Sequence, residues 1–411
     1  MCDRTRRERW KDVGIAALAL AALVMTVQLT GLPDFLRARN AGADSGAPVT
    51  DRASLLGPYA AAVTLSDGTR CGAAWGSGSQ AIYERFSALL GEALGSAGNP
   101  VRETAESWRE ALSGPGAYFD FRAQLPLALL AEWLGAQTPE WDAGDSAGEL
   151  VLALEDNAVR LYYRSGEAWY SCATALNGAV LTERLREFSP NGAVFAFEAG
   201  EDYALVEDTV LLYGSRDTLQ NYTVRTPLQA GQSAAELLAA FGMNSYMANS
   251  YTEADGADIY VEGTMSLRLS GDGTVRFWDT EPAAGELSPA AAAELAARTV
   301  QSALEETMGA AELRLWSLDY RDTGYTVQLC YCLDGVPVLR NGDPCAAKVE
   351  ITGTDVSWAE ITGLEFTASG GTEAPMPPEL EAALVQSAGG GSMEMWYQLW
   401  NDQLRADWVT A

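Results

Sequence analysis

The stretch LVLALEDNAVRLYYRSGEAWYSCATA, residues 150–175, decides the fold class. Its hydrophobic pattern has a period of two, which is the period of β-strands. The pattern is interrupted at Asp156-Asn157 and at Ser165-Gly166, and such pairs are typical of tight hairpin turns. The stretch therefore predicts a meander of three consecutive antiparallel strands.

Helical patterns flank this meander within the first half of the chain. Residues 80–94 place their apolar side chains on one helical face. The apolar segment 127–134 predicts a shorter helix that Gly135 ends. Further strand patterns lie before and after these helices, so we expect residues 53–225 to form an N-terminal α+β domain.

The second half of the chain opens after a boundary at residues 226–231. Ser233 and Glu236 have the spacing of a capping box, in which each side chain accepts from the backbone of the other residue. A second helix is predicted from Ser288, and three strand patterns follow each helix. One more strand pattern, Trp358–Thr367, follows the second set. We expect residues 233–411 to form a C-terminal α+β domain with two helix-plus-three-strand units, in which antiparallel sheets pack against helices.

An uncharged apolar run, Val13–Leu32, precedes both halves. A helix needs about 20 such residues to cross the hydrocarbon core, and the residues in front of the run are rich in arginine. Positive flanks stay in the cytoplasm. We therefore expect a cytoplasmic segment at 1–12, a single transmembrane anchor at 13–32, a linker at 40–52 and two extracytoplasmic domains. A cleaved signal peptide is the alternative, but its apolar region is usually shorter and ends at a small-x-small site.

Composition excludes several classes of function. The chain has 411 residues, a formal net charge of −29 and no histidine. Such an acidic body is repelled by nucleic acid. Without histidine, neither a Ser-His-Asp nor a Cys-His nucleophile can form, and no metal can be bound by imidazole. We expect no catalytic residue, no cofactor and no metal site, and we expect that the protein is not an enzyme.

The cysteine pattern leaves the redox state open. Of six cysteines, Cys2 would lie in the cytoplasm, and the remaining odd number cannot all pair with one another. Cys345 follows a turn and could pair with Cys330 or Cys332, which share one face of a predicted strand. Reduced buried thiols would explain the set equally well. The cysteines concerned are Cys71, Cys172, Cys330, Cys332 and Cys345.

Acidic and aromatic residues allow a second class of function. The chain contains 56 acidic residues and 12 tryptophans, and carboxylate pairs beside aromatic rings could bind or hydrolyse a polysaccharide. Most tryptophans are expected in the core. Trp396, Trp400 and Trp408 differ because they follow a flexible joint at Gly389–Ser392. We single out Trp396 and Trp400 as candidate partner-binding residues.

Four segments of the second half resemble the YycH/YycI regulators, and the likeness extends over roughly residues 233–361 and the anchor topology. The segments are Glu236–Asn244, Asp258–Glu262, Leu267–Val275 and Tyr331–Val338. Proteins of that family are membrane-anchored, with one N-terminal helix and an outer α+β body, and they belong to Gram-positive bacteria. They are associated with the WalK/WalR (YycG/YycF) two-component system, which governs cell-wall homeostasis. The chain length and the two-part body are more similar to YycH than to YycI, and the resemblance supplies no catalytic residue.

We therefore expect a single-pass cell-membrane protein that regulates a sensor histidine kinase, beside a sister YycH/YycI-type protein. Gly14, Ala17 and Ala21 of the anchor are small enough to allow close packing against membrane helices of the kinase. The outer body would bind the kinase or a ligand. A cell-wall polysaccharide-binding or hydrolysing surface protein is the alternative, and a structural partner of a secretion or sporulation complex is a third hypothesis.

Overall fold

The computed structural model describes residues 52–136, 145–213, 218–225, 233–304, 307–340, 342–400 and 403–410. The predicted cytoplasmic segment 1–12, the anchor 13–32 with Gly14, Ala17 and Ala21, and the linker up to residue 51 lie outside the described residues. In the part of the chain that is described, no helix is both long and apolar enough to cross a membrane.

The described residues have a mixed α+β fold in which strands predominate, as the sequence predicts. The helices are α1 Arg52–Leu55, α2 Gly76–Ser96, α3 Ala105–Ser113, α4 Leu127–Trp133, α5 Gly178–Leu185, α6 Ala234–Ala240, α7 Pro289–Leu304 and α8 Pro378–Ala388. The strands are β1 Ala60–Thr64, β2 Arg70–Ala74, β3 Val101–Glu103, β4 Gly116–Pro126, β5 Ser146–Glu155, β6 Ala158–Ser165, β7 Ala168–Asn177, β8 Val194–Phe195, β9 Leu211–Leu212, β10 Leu219–Arg225, β11 Asn249–Thr252, β12 Asp258–Glu262, β13 Met265–Leu269, β14 Thr274–Asp279, β15 Glu312–Arg321, β16 Gly324–Leu333, β17 Val336–Leu339, β18 Cys345–Thr352, β19 Asp355–Thr362, β20 Glu365–Glu373, β21 Met393–Trp400 and β22 Gln403–Thr410.

The first sheet is antiparallel, with the strand order β3-β7-β6-β5-β4-β1-β2. Its centre is the predicted meander β5-β6-β7, which the structure confirms. Alternate side chains leave a strand on opposite faces. The face that carries Leu150 and Leu152 packs against α2. The opposite face, which carries Val151, is covered in part by α3 and by side chains of residues 193–211.

The second sheet is also antiparallel, with the order β11-β12-β13-β14-β19-β18-β16-β15. Helix α6 precedes the first four of these strands and α7 precedes the other four, so two helix-plus-sheet units meet at the β14–β19 pair. The two helices contact each other. Each unit thus contributes four strands to the sheet. The sequence predicts three for each unit and one more pattern, Trp358–Thr367, which overlaps β19. The extra strand of the first unit, Asn249–Thr252, is exposed throughout, so no apolar period marks it.

The predicted capping box at the start of α6 is confirmed. The Oγ of Ser233 accepts from the backbone N–H of Glu236 at 3.3 Å. In return, Oε2 of Glu236 accepts from the backbone N–H of Ser233 at 3.1 Å. Two of the helix's otherwise unpaired N–H groups are satisfied in this way.

The last strands join the two halves of the chain. Strand β10 pairs with β20 and β22, β22 pairs with β21, and β21 runs parallel to β17. Residues 219–225 end the predicted N-terminal domain, yet their partner strands lie in the C-terminal half. One hydrophobic core includes side chains of both halves, such as Phe119 and Leu150 with Val327 and Met395.

The turn Asp334-Gly335 sits where the two halves meet. Oδ2 of Asp334 accepts from the hydroxyl of Tyr222 at 2.9 Å and from that of Tyr397 at 3.2 Å. Gly335 has a φ of 78° and packs on the first residue of α2, where a Cβ would collide with the backbone nitrogen of Gly76. This position therefore needs glycine both for its backbone conformation and for the close approach.

Candidate functional site

A cleft lies between the first sheet and the C-terminal hairpin β21–β22. It encloses about 350 Å³, a size typical of small-ligand sites. Strands β4, β5 and β6 form its floor, while the first residues of β21 and a side chain of β22 form the opposite wall. The charged and aromatic lining residues are Tyr59, Trp75, Asp120, Arg122, Glu149, Arg164, Glu167, Glu207, Trp316, Glu394 and Trp408.

Three charged residues form a row across the floor of the cleft. The strand register places Asp120 opposite Glu149, and Glu149 opposite Arg164. All three are on the same face of the sheet as Val151, because side chains two residues apart share a face. Directly opposite residues of antiparallel strands have Cβ atoms about 4.5–5.5 Å apart, so neighbours in this charged row interact.

Glu149 is only 9% exposed and is fixed by two donors. The hydroxyl of Tyr118 donates to its Oε1 at 2.7 Å, and Nη1 of Arg164 donates to its Oε2 at 3.3 Å. Arg164 also forms an ion pair with Glu207. Burial, followed by the charge of Glu149, raises the pKa of Tyr118 well above its usual value, so this hydroxyl remains a donor at neutral pH.

Asp120 continues the row on β4. The pKa of its carboxyl is raised to about 7, first by burial and then by the neighbouring Glu149, while Arg122 acts in the opposite direction. Oδ1 of Asp120 accepts from the backbone N–H of Arg122 at 2.7 Å. Asp120 therefore exchanges a proton near neutral pH, a property that histidine usually provides.

Arg122 occupies an irregularity of β4. The register between β4 and β5 shifts between Asp120 and Leu125, and Arg122 has a φ of 57°, which is uncommon for a residue other than glycine. Its guanidinium lies 3.6 Å from the ring centroid of Tyr59 and 5.1 Å from that of Trp396, and it donates to the carbonyl of Met395 at 3.0 Å. The bulge thus aims a cation at the C-terminal hairpin.

Aromatic rings form the side of the cleft next to the charged row. The ring of Trp75 lies 6.0 Å from Tyr59, 5.7 Å from Tyr213 and 5.8 Å from Trp408, centroid to centroid. Trp75 has a φ of 48°, and its buried indole N–H has no acceptor within the described residues. Strained backbone and unpaired donors are enriched at functional sites, which supports a binding role for this wall.

The tryptophans singled out from the sequence have different environments. Trp396 is 5% exposed, packs against Trp316 at 5.6 Å and donates from Nε1 to Glu394 at 2.9 Å, so its ring is not free to stack on a partner. The side chain of Trp400 lies outside the described residues. Trp408, which the sequence analysis grouped with them, lines the cleft.

The cysteines do not form disulfides in the described structure. Cys71, Cys172, Cys330, Cys332 and Cys345 are all free. The Sγ atoms of Cys330 and Cys332 are 3.9 Å apart, and Cys345 lies opposite Cys330 on the neighbouring strand. No group of cysteine and acidic side chains suited to a metal ion occurs within the described residues.

No family model, curated protein or solved structure matches the chain. The resemblance to the YycH/YycI regulators therefore stays a prediction. No relative supplies functional residues, so the geometry of the cleft alone identifies the candidate site.

Sequence reasoning did not find the charged row. Within the row, the pairing of Glu149 with Arg164 could have been predicted from the sequence. The hairpin turn at Asp156-Asn157 sets the register that brings these two residues opposite each other. Asp120 reaches Glu149 through a connection that contains α4, so no turn fixes that pair. Chemically, the row combines a held carboxylate, a protonatable carboxyl and a paired guanidinium beside aromatic rings. Such an arrangement can bind a polar or cationic group.

Proposed function

We propose that this protein is a non-enzymatic extracytoplasmic regulator of a two-component sensor histidine kinase that controls cell-wall homeostasis. In this proposal, Val13–Leu32 anchors the chain in the cell membrane, and the outer body recognises a ligand or a group of a partner in the cleft. The membrane helix packs beside the kinase through Gly14, Ala17 and Ala21. A sister YycH/YycI-type protein is a further proposed partner.

The observation that best supports a regulatory role is the composition of the cleft walls. The charged row comes from the first sheet, whereas Glu394 and Trp408 come from the C-terminal hairpin. A ligand in the cleft would contact both the first sheet and the hairpin. It would therefore favour one position of the hairpin relative to the sheet over others. Regulation requires this kind of differential affinity, because a ligand shifts an equilibrium only by the difference in its affinity for the two states.

The proposal is tested in the cell by a reporter gene driven by the response regulator. One variant replaces Val13–Leu32 by an unrelated membrane helix of equal length, and a second carries Glu149→Gln in the cleft. We expect both to change reporter output, because each removes one of the two proposed contacts. The matched control is Glu253→Gln, an acidic residue that pairs with an arginine outside the cleft. Unchanged output with both variants, at equal protein level, would contradict the proposal.

A second candidate function has one specific observation in its favour. Asp120 and Glu149 are adjacent carboxyl groups, and the pKa of Asp120 is raised to about 7, with burial the largest cause. Glycosidases use two carboxyl groups, of which one is protonated at neutral pH. Trp316 and Trp408 could stack on a sugar ring. Release of reducing sugar from purified cell wall by the wild-type chain, but not by Asp120→Asn, would favour this alternative.

A further inference from the structure

We propose that the cleft binds an organic cation, an alkylammonium group held between the charged row and the rings of Trp75, Trp316 and Trp408. This inference rests on the proposed function, since it names the chemistry that the same cleft recognises. It goes beyond that proposal because it specifies the sign of the charge and the class of the ligand.

The lining of the cleft has an excess of acidic side chains. Carboxylates outnumber guanidinium groups five to two among the lining residues. Both guanidinium groups are engaged. Arg164 pairs with Glu149 and Glu207. Arg122 pairs with Glu394 at 3.9 Å and also donates to the carbonyl of Met395, so Asp120 and Glu167 remain in excess. An anion entering the cleft would be repelled by the excess of carboxylates, whereas a cation would be attracted.

The aromatic side chains select the kind of cation. The face of an aromatic ring attracts an ammonium group, and this attraction strengthens as water is excluded. Trp75, Trp316 and Trp408 line the cleft, whereas the ring of Tyr59 is already covered by the guanidinium of Arg122. A metal ion would need several oxygen or sulfur ligands in close array, and no such group occurs within the described part of the chain.

The size and the donors of an alkylammonium group also fit. A primary ammonium offers three N–H donors, and the row provides carboxylate acceptors from Asp120 and Glu149. A volume of about 350 Å³ accommodates a short alkyl chain that lies along the rings. The same chemistry could come from a free diamine or from a lysine side chain of a protein partner, so the experiment has an arm for each source.

The experiment is isothermal titration of the purified full-length chain in detergent, at a pH above 7. Diaminopentane and Nα-acetyl-lysine amide are the cationic probes. Pentanediol and Nα-acetyl-norleucine amide are their neutral counterparts of similar shape. We expect saturable binding of the cations only. Tighter binding of the lysine derivative points to a protein partner, and tighter binding of the diamine points to a free amine.

Variants locate the binding in the cleft. Glu149→Gln removes the central carboxylate of the row and is expected to weaken binding at least about tenfold, which corresponds to about 1.4 kcal/mol. Asp120→Asn keeps the acceptor for the Arg122 N–H and serves as a second variant if Glu149→Gln does not fold, as judged by near-ultraviolet circular dichroism. Glu253→Gln, outside the cleft, should bind as the wild type does.

Three results would overturn the inference. They are absence of saturable binding by both cations, equal binding of the neutral counterparts, and unchanged affinity in both Asp120→Asn and Glu149→Gln. The reporter assay separates this failure from that of the proposed function. If reporter output depends on the chain but no cation binds, only the ligand class is wrong. If cations bind but output does not depend on the chain, the regulatory role is wrong.

Discussion

Asp120 shows how a single residue acquires a property that its sequence position does not reveal. Nothing in the local sequence distinguishes it from other aspartates. Burial raises its pKa most; Glu149 from β5 and Glu394 from β21 raise it further, and Arg122 lowers it. Burial and the approach of Glu149 and Glu394 are produced only by the sheet and by the hairpin, so the raised pKa is a property of the fold.

The raised pKa of Asp120 predicts how stability depends on pH. A carboxyl has a pKa of about 3.9 in the unfolded chain, and in the fold it is raised to about 7. The stabilisation linked to its proton is present below the unfolded value and is lost as the pH rises through the folded value. Asp120→Asn has no such titration. Its free energy of unfolding, measured by urea denaturation, should therefore rise relative to wild type between about pH 4 and about pH 7. A difference that is constant over this range would contradict the prediction.

A second prediction at this scale concerns the buried guanidinium of Arg70. Its side chain is 3% exposed, and it donates to Thr64 and to the carbonyl of Leu112 as well as to Glu198. Glu198→Gln leaves this buried cation without its counter-charge and is expected to cost about 1–3 kcal/mol at neutral pH. Urea denaturation measures the loss.

The pH dependence of that loss is the control. Burial raises the pKa of Glu198, but the hydrogen bond and charge of Arg70 outweigh it, and the net pKa is lowered. Its stabilisation is therefore present above the unfolded pKa and disappears as the pH falls through the folded pKa. The difference between Glu198→Gln and wild type should shrink in acid. Glu365→Gln, in a more exposed pair with Arg225, should have a much smaller effect at any pH.

Among the elements, hairpins were the most predictable from sequence. Asp156 and Asn157 both have positive φ, 46° and 65°, as a two-residue turn of the primed type requires. Such a turn fixes the register of β5 and β6, and the alternation of side chains then follows. The irregular part of β4 and the parallel pairing of Gln124 in β4 with Ser317 in β15 have no such local signal. They result from tertiary packing, which is why the cleft was not predicted.

The turn between β16 and β17 gives a prediction at the scale of elements. In Gly335→Ala, the new Cβ would collide with the backbone of Gly76, and the residue would also keep a positive φ. We expect a loss of more than about 3 kcal/mol, because neither backbone can move without shifting α2. Gly68→Ala is the matched control. Gly68 has a φ of 82°, but a Cβ there meets nothing within 4 Å, so only the backbone cost of about 1–2 kcal/mol remains. Equal losses in the two variants would show that the close approach does not matter.

At the scale of the whole molecule, the α+β class could be predicted because it depends on local periods. The division into residues 53–225 and 233–411 stays a prediction. Strand β10, at the end of the first range, is hydrogen-bonded to strands of the second, and one core includes side chains of both. Pairings between distant segments leave no period in the sequence, so the joint between the halves could not be derived from it.

The shared core predicts how the body unfolds. Because the two halves share strands and buried side chains, we expect one cooperative transition, with tryptophan fluorescence and far-ultraviolet circular dichroism changing together in urea. Val327→Ala, in the second half, should shift both signals by the same amount. Two separate transitions, of which only one moves in this variant, would show that the halves unfold independently.

The pairing of β10 with β20 and β22 also has a consequence for biosynthesis. A polypeptide leaves the ribosome amino end first, so Leu219–Arg225 emerges long before its partners Glu365–Glu373 and Gln403–Thr410 are made. Until then, the apolar side chains of Leu219 and Tyr222, which are buried in the finished protein, remain accessible to chaperones and proteases. A prematurely terminated chain never covers them, so quality-control factors could distinguish it from the complete polypeptide.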